Sequence, residues 1–168
     1  MAMNPIGFEA TLNHVANITK NKAIVGWYEG ATYPDGTKVS DVAMMNEYGT
    51  RTSVARPFIR PAIMSNGDEW KDMMLRENIG GDALEKIALK AEGDIMDSIV
   101  NGDHKKLSPI TLALRKMREN GEKITGKSVG IAANAIKNGT AVFSTNTQPL
   151  SDTGRMIATL TSTVIHND

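Results

Sequence analysis

Asp152-Thr153-Gly154 is the triplet with the most direct claim to chemistry, because Asp-Thr-Gly loops carry the catalytic carboxylates of aspartic proteases. That reaction needs two carboxylates sharing one proton, each in a loop cradled by sheet. Only fourteen residues follow Gly154, too few for a second lobe, so Asp152 or Thr153 is expected to cap the helical turn after it. Gly121 to Ser128 (GEKITGKS) satisfies the spacing of a phosphate-binding loop. A working loop follows a buried strand, opens a helix and is completed by a strand ending in a magnesium-binding Asp. Here a basic helical stretch, LRKMREN, precedes it and no such strand follows, so a glycine-punctuated flexible loop is expected. His14, His104 and His166 have no second ligand at helical spacing, there is no Gly-x-Ser-x-Gly elbow, and cysteine is absent. These patterns predict a protein that is not an enzyme, with no catalytic, cofactor-binding or metal-ligating residue.

Charge is balanced overall, nineteen Lys+Arg against nineteen Asp+Glu, but unevenly placed. Asp68 to Asp97 carries nine acids and four bases, whereas Asp103 to Lys127 carries seven bases and three acids. The basic stretch (Lys105, Lys106, Arg115, Lys116, Arg118, Lys123 and Lys127) contains no aromatic on which a base could stack, so specific nucleic-acid readout is not expected. A DNA-binding module relying on this stretch electrostatically is the alternative from a different class. Opposed charge suits solvated helix faces and also head-to-tail subunit contacts. With 168 residues, 40% hydrophobic and 23% charged, the chain is read as a single globular domain. It has no apolar run near the ~18–20 residues of a membrane span and no signal-peptide pattern, so a soluble product of a cytoplasm is expected. Methionine occurs ten times; Met44, Met45, Met73, Met74, Met96 and Met117 read as helix core residues.

Phe8 to Asn17 and Lys22 to Glu29 read as strands, followed by a turn at Tyr33-Pro34-Asp35-Gly36-Thr37, together a hairpin or a strand with a long protruding loop. Asp41 to Tyr48 reads as a helix capped by Ser40 or Asp41, with Val42, Met44, Met45 and Tyr48 on its apolar side and Gly49 as its stop. In Arg51 to Pro61 (RTSVARPFIRP) two prolines push Arg56 and Arg60 out of helical space, which predicts an exposed, stiffened arm or a sheet edge. Pro61 opens a helix interrupted at Asn66-Gly67 and resuming over 68–78. Asp82, with Glu85 three residues on, opens the strongest helix, its stripe formed by Leu84, Ile87, Ala88, Ala91, Ile95 and Ile99. Ser108 caps a further helix with Pro109 as its first residue, and Asn120-Gly121 ends it. Residues 126–138 read as a short helix or a loop, 141–144 as a short strand, and Thr159 to His166 as a closing strand. The order predicts an α+β fold: an antiparallel sheet packed on one face by two or three helices, with a protruding loop or arm.

Four of these segments together resemble the tail-completion, or neck, proteins of tailed bacteriophages. They are Val25-Gly26-Trp27-Tyr28 with Tyr33-Pro34-Asp35-Gly36; Asn46-Glu47-Tyr48-Gly49-Thr50 with Ala55-Arg56-Pro57-Phe58-Ile59-Arg60-Pro61-Ala62; Leu107-Ser108-Pro109-Ile110-Thr111; and Pro149-Leu150-Ser151-Asp152-Thr153-Gly154-Arg155-Met156. The resemblance spans about residues 22–166. Gly121 to Gln148 departs from it as an insertion, and Val54 stands where the family often has proline or isoleucine. It implies a virion protein of the neck or upper tail, in the host cytoplasm before assembly. Such a subunit forms a homo-oligomeric ring, expected to be a hexamer, that completes the tail and joins it to the head connector. Its partners would be itself and other neck and tail proteins, with no membrane and no specific nucleic acid, though DNA can pass through the ring. A tail terminator in the adjacent ring is the closest variant of this role. Asn46, Glu47 and Gly49 would close the helix-to-arm corner, and Arg56, Pro57, Phe58, Arg60 and Pro61 would form the arm that grips a neighbour. Arg56 and Arg60 would pair with acids of 68–97 in the same or an adjacent subunit. Ser108, Pro109, Asp152, Thr153 and Gly154 would serve as helix caps.

Overall fold

The computed structural model describes residues 21–76 and 81–166; the strand expected at Phe8 to Asn17, together with His14, lies outside them. In chain order the elements are β1 (Asn21–Gly26), α1 (Val39–Tyr48), α2 (Ile59–Arg76), α3 (Gly81–Asn101), α4 (Pro109–Glu119), α5 (Gly126–Lys137), α6 (Arg155–Ala158) and β2 (Thr161–His166). The fold is α+β. Its sheet among the described residues is a two-stranded antiparallel ribbon, Asn21 opposite His166 and Gly26 opposite Thr161. An isolated ribbon is marginal in water and needs an apolar partner. Here α3 lies against both strands, α2 runs along α3, and α5 packs on α4.

The stripe read for α3 is the buried one: Leu84, Ile87, Ala88, Ala91, Ile95 and Ile99 are each less than a tenth exposed. Three- and four-residue spacing puts them on one side of a helix. Ile95 and Ile99 enter the main core with Val39, Ala43, Phe58, Ala62, Leu150, Met156 and Leu160. That core joins α1, the start of α2, the end of α3 and the segment before β2. None of its fully buried members comes from α4 or α5, which form a separate hairpin with small contact residues (Ala113 and Ala132).

Several expectations are corrected. α2 is continuous through Asn66-Gly67. Packing along α3 overrides the local breaker signal, and Asn66 Nδ2 donates to the Ala62 carbonyl at 3.0 Å. α1 begins at Val39 after Lys38, with no side-chain cap from Ser40 or Asp41. Its buried face is Val39, Ala43 and Glu47, while Met44 (57% exposed), Met45 and Tyr48 (68%) face outward. The core reading of Met44 and Met45 therefore fails. β1 pairs with β2 rather than in a local hairpin, and 32–38 closes as its own small loop through a Thr32–Lys38 bridge. Residues 141–144 are not a strand: the Ser144 N–H donates to the Leu112 carbonyl of α4, so no ladder forms.

Candidate functional site

α1 stops at Gly49, whose φ of 77° and ψ of 177° suit glycine almost alone. A Cβ there would sit 2.8 Å from the Ala55 nitrogen, so the returning chain itself requires glycine. The Thr50 hydroxyl accepts from the amides of Thr52 and Ser53, and the Arg56 amide donates to the Asn46 carbonyl at 2.7 Å. Phe58, fully buried, then packs edge-on against Trp27 with ring centroids 5.9 Å apart.

Glu47, two residues before Gly49, is 2% exposed and acts as a remote cap for α2. Its Oε2 accepts from the amides of Phe58 (2.7 Å) and Ile59 (2.9 Å). Its Oε1 accepts from the Arg60 amide (3.1 Å) and Arg60 Nε (2.9 Å), while Arg60 Nη2 donates to the Glu47 carbonyl at 2.9 Å. Helix starts leave about four amides unpaired. Here one carboxylate takes three of them and Pro61 has no N–H to satisfy. Burial alone would raise the Glu47 carboxyl; the three amides and the Arg60 guanidinium outweigh it and hold it below the usual carboxylate range.

This network corrects the arm. Residues 51–54 are exposed, but from Ala55 onward the segment folds into the body and ends in the core. Arg60 is helical, not extended, because the Glu47 carboxylate organises the first turn despite the following proline. Among the described residues neither arginine bonds an acid of 68–97. Arg60 pairs with Glu47 and lies over the Tyr48 ring at 5.2 Å. Arg56 donates to the carbonyls of Lys105 (2.8 Å) and Lys106 (3.2 Å).

Those carbonyls lead into α4, which starts as expected: Ser108 Oγ accepts from the Thr111 amide at 3.2 Å, and Pro109 is the first helical residue. One and a half turns on, Arg115 is 5% exposed. Its Nη1 donates to the carbonyls of Asn146 and Gln148, both at 2.8 Å, and its Nη2 to that of Pro149. Its Nε makes no hydrogen bond but lies 3.3 Å from Asp152 Oδ1. Arg118 donates to the other oxygen of Asp152. Burial lowers the Arg115 pKa; Asp152 opposes this, and the nearby charges of Arg118 and Arg56 add to it. Asp152 is thus not a cap, because two arginines occupy it. Thr153 is not the cap either: its Oγ1 accepts from the Arg155 amide at 3.3 Å, while the cap position is Gly154, at φ 67° and without a side chain to accept.

Between α4, the 33–37 loop, the corner and residues 149–156 lies a cleft of about 770 Å³. Pro34 and Asp35, Asn46 and Arg56, Leu107 and Thr111, and Leu150 and Asp152 all line it. Each of the four segments quoted for the phage resemblance therefore contributes residues to one place, although Val25 to Tyr28 of the first lies outside its lining. Tyr33, at its edge, has its pKa raised by burial and then by the Asp152 charge. Of the expected residues, Glu47, Phe58 and Arg60 form one network; Asn46, Arg56, Asp152 and Thr153 line the cleft; Ser108 stands at the N-terminus of α4. The glycine-rich stretch follows a helix: Thr125 precedes α5, and Ser128 Oγ accepts from the Thr125 amide at 3.0 Å. Arg115 was read only as one cation of the basic stretch, because in sequence a buried arginine and a solvated one look alike. No family model, no curated protein and no solved structure matches the chain.

Proposed function

We propose that the chain is a structural, non-enzymatic virion subunit of the neck or upper tail of a tailed bacteriophage, assembling as a ring that completes the tail and meets the head connector. The observation that carries this reading is the meeting of the four family-like segments around one cleft, with Glu47 and Arg115 locking two of them. Segments scattered over most of the chain resemble the family together and also come together in the fold. The exposed side chains of Met44, Tyr48 and Met64 (86% exposed) support an assembling subunit, since methionines adapt to more than one contact surface. The preorganised arginines fix the corner within the subunit, so the segment does not project as a free arm. Inactivating the gene in its phage is expected to leave filled heads and finished tails unjoined. Cryo-electron microscopy of intact particles should place the subunit in a ring at the neck. Normal particles without the protein would overturn the reading; density in the ring below would assign the terminator role.

A further inference from the structure

Resting on the self-association reading, we propose that the cleft receives the outer acidic stripe of α3 from a neighbouring copy. Five cations (Arg56, Arg115, Arg118, Lys123 and Arg155) line it against three carboxylates (Asp35, Glu122 and Asp152). Asp152 is already held by two of the arginines, and Arg56 bonds carbonyls, which leave its charge uncancelled. The side chains of Lys123 and Arg155 make no hydrogen bond or ion pair among the described residues. A concave surface with excess positive charge focuses its field on an anionic partner.

The chain itself carries that partner. Glu85, Leu89 and Glu92 recur at four and three residues along α3, so they share one side of the helix. Leu89 is 62% exposed, and the two glutamates have no ion-pair partner among the described residues. An acid–Leu–acid stripe matches a cleft whose lining combines cations with the apolar side chains of Leu107, Ile124 and Leu150. No residue of α3 lines the cleft, so one copy presents both surfaces at once. Contact between two different patches is heterologous, the type of interface that generates rings when the rotation closes.

Charge reversal tests this. Chains carrying Lys123→Glu with Arg155→Glu, or Glu85→Lys with Glu92→Lys, should each raise the self-association constant for dissociation at least about tenfold by sedimentation equilibrium. All four positions avoid the Glu47 and Arg115 networks, and thermal melts check folding. The chain with all four substitutions should regain association, and the unmodified assembly should weaken from 50 to 500 mM salt, about a threefold fall in Debye length. Oligomers indifferent to both reversals and to salt would overturn the inference while leaving self-association standing. Loss of DNA retention alone on cleft reversal would overturn it likewise. A chain monomeric at every concentration, and single in particles, would instead overturn the reading beneath it.

Discussion

Glu47 gathers three amides and a guanidinium around one buried carboxylate, and its protonation is therefore coupled to folding. Its pKa is depressed in the folded chain, so as pH falls the unfolded chain binds the proton first. The stability it contributes is complete above the ordinary carboxylate value of about 4.3 and is lost as pH drops through the lower folded value. Glu47→Gln is expected to cost about 2 kcal/mol at pH 7, a gap that shrinks below about pH 4, read from urea titrations across pH. Local chemistry made Gly49, Ser108 and Pro109 readable from sequence, since each acts within a few residues of itself. Glu47 acts on amides eleven to thirteen residues away, which spacing rules do not reach. The available hint was negative: a helix opening near Pro61 with Phe58, not Ser, Thr, Asp or Asn, before it must find its acceptor elsewhere.

At the level of elements, the α4–α5 hairpin is the weakly rooted part. The core cluster holds no buried residue from it, and polar bonds tie it down: Arg115 to 146–149, Arg118 to Asp152, and Ser144 to Leu112. Elements with few buried apolar contacts open at lower free energy than the core. Arg115→Gln is expected to speed amide exchange in α4 and α5 at least about tenfold, with α3 protection unchanged, by hydrogen-exchange mass spectrometry; the loss of bonds to three carbonyls costs about 2–3 kcal/mol. Uniform acceleration across α3 would show the clasp to be part of the global core. Period and composition disclosed α3 in full, because its apolar stripe is long and regular. They misjudged α1, whose exposed Met44, Met45 and Tyr48 look apolar while a glutamate takes the buried side. They also broke α2 at Asn66-Gly67, where tertiary packing supports a helix that local preference resists.

At the scale of the molecule, the α+β class and the positions of the two described strands were legible, because β-branched runs at 22–29 and 159–166 stand out on their own. Their mutual pairing was not, since nothing local links them. The cleft was equally hidden: its walls come from four regions that only the folded chain assembles. The expected arm illustrates how a correct local inference misleads at this scale. The prolines do stiffen the segment, but Phe58 carries it inward to Trp27 and the core.

The pairing of β1 with β2 also governs how the molecule comes together in time. It joins positions well over a hundred residues apart, so the entropy of closing that loop must be met before a single ladder bond forms. Helices α3, α4 and α5 can form on local contacts; the ribbon has to wait for them. Val164→Ala, in the middle of β2 opposite Ala23, should therefore accelerate unfolding while leaving the refolding rate nearly unchanged, a φ-value below about 0.3 in stopped-flow chevrons. A value near one would make the ribbon the nucleus instead of the final clasp.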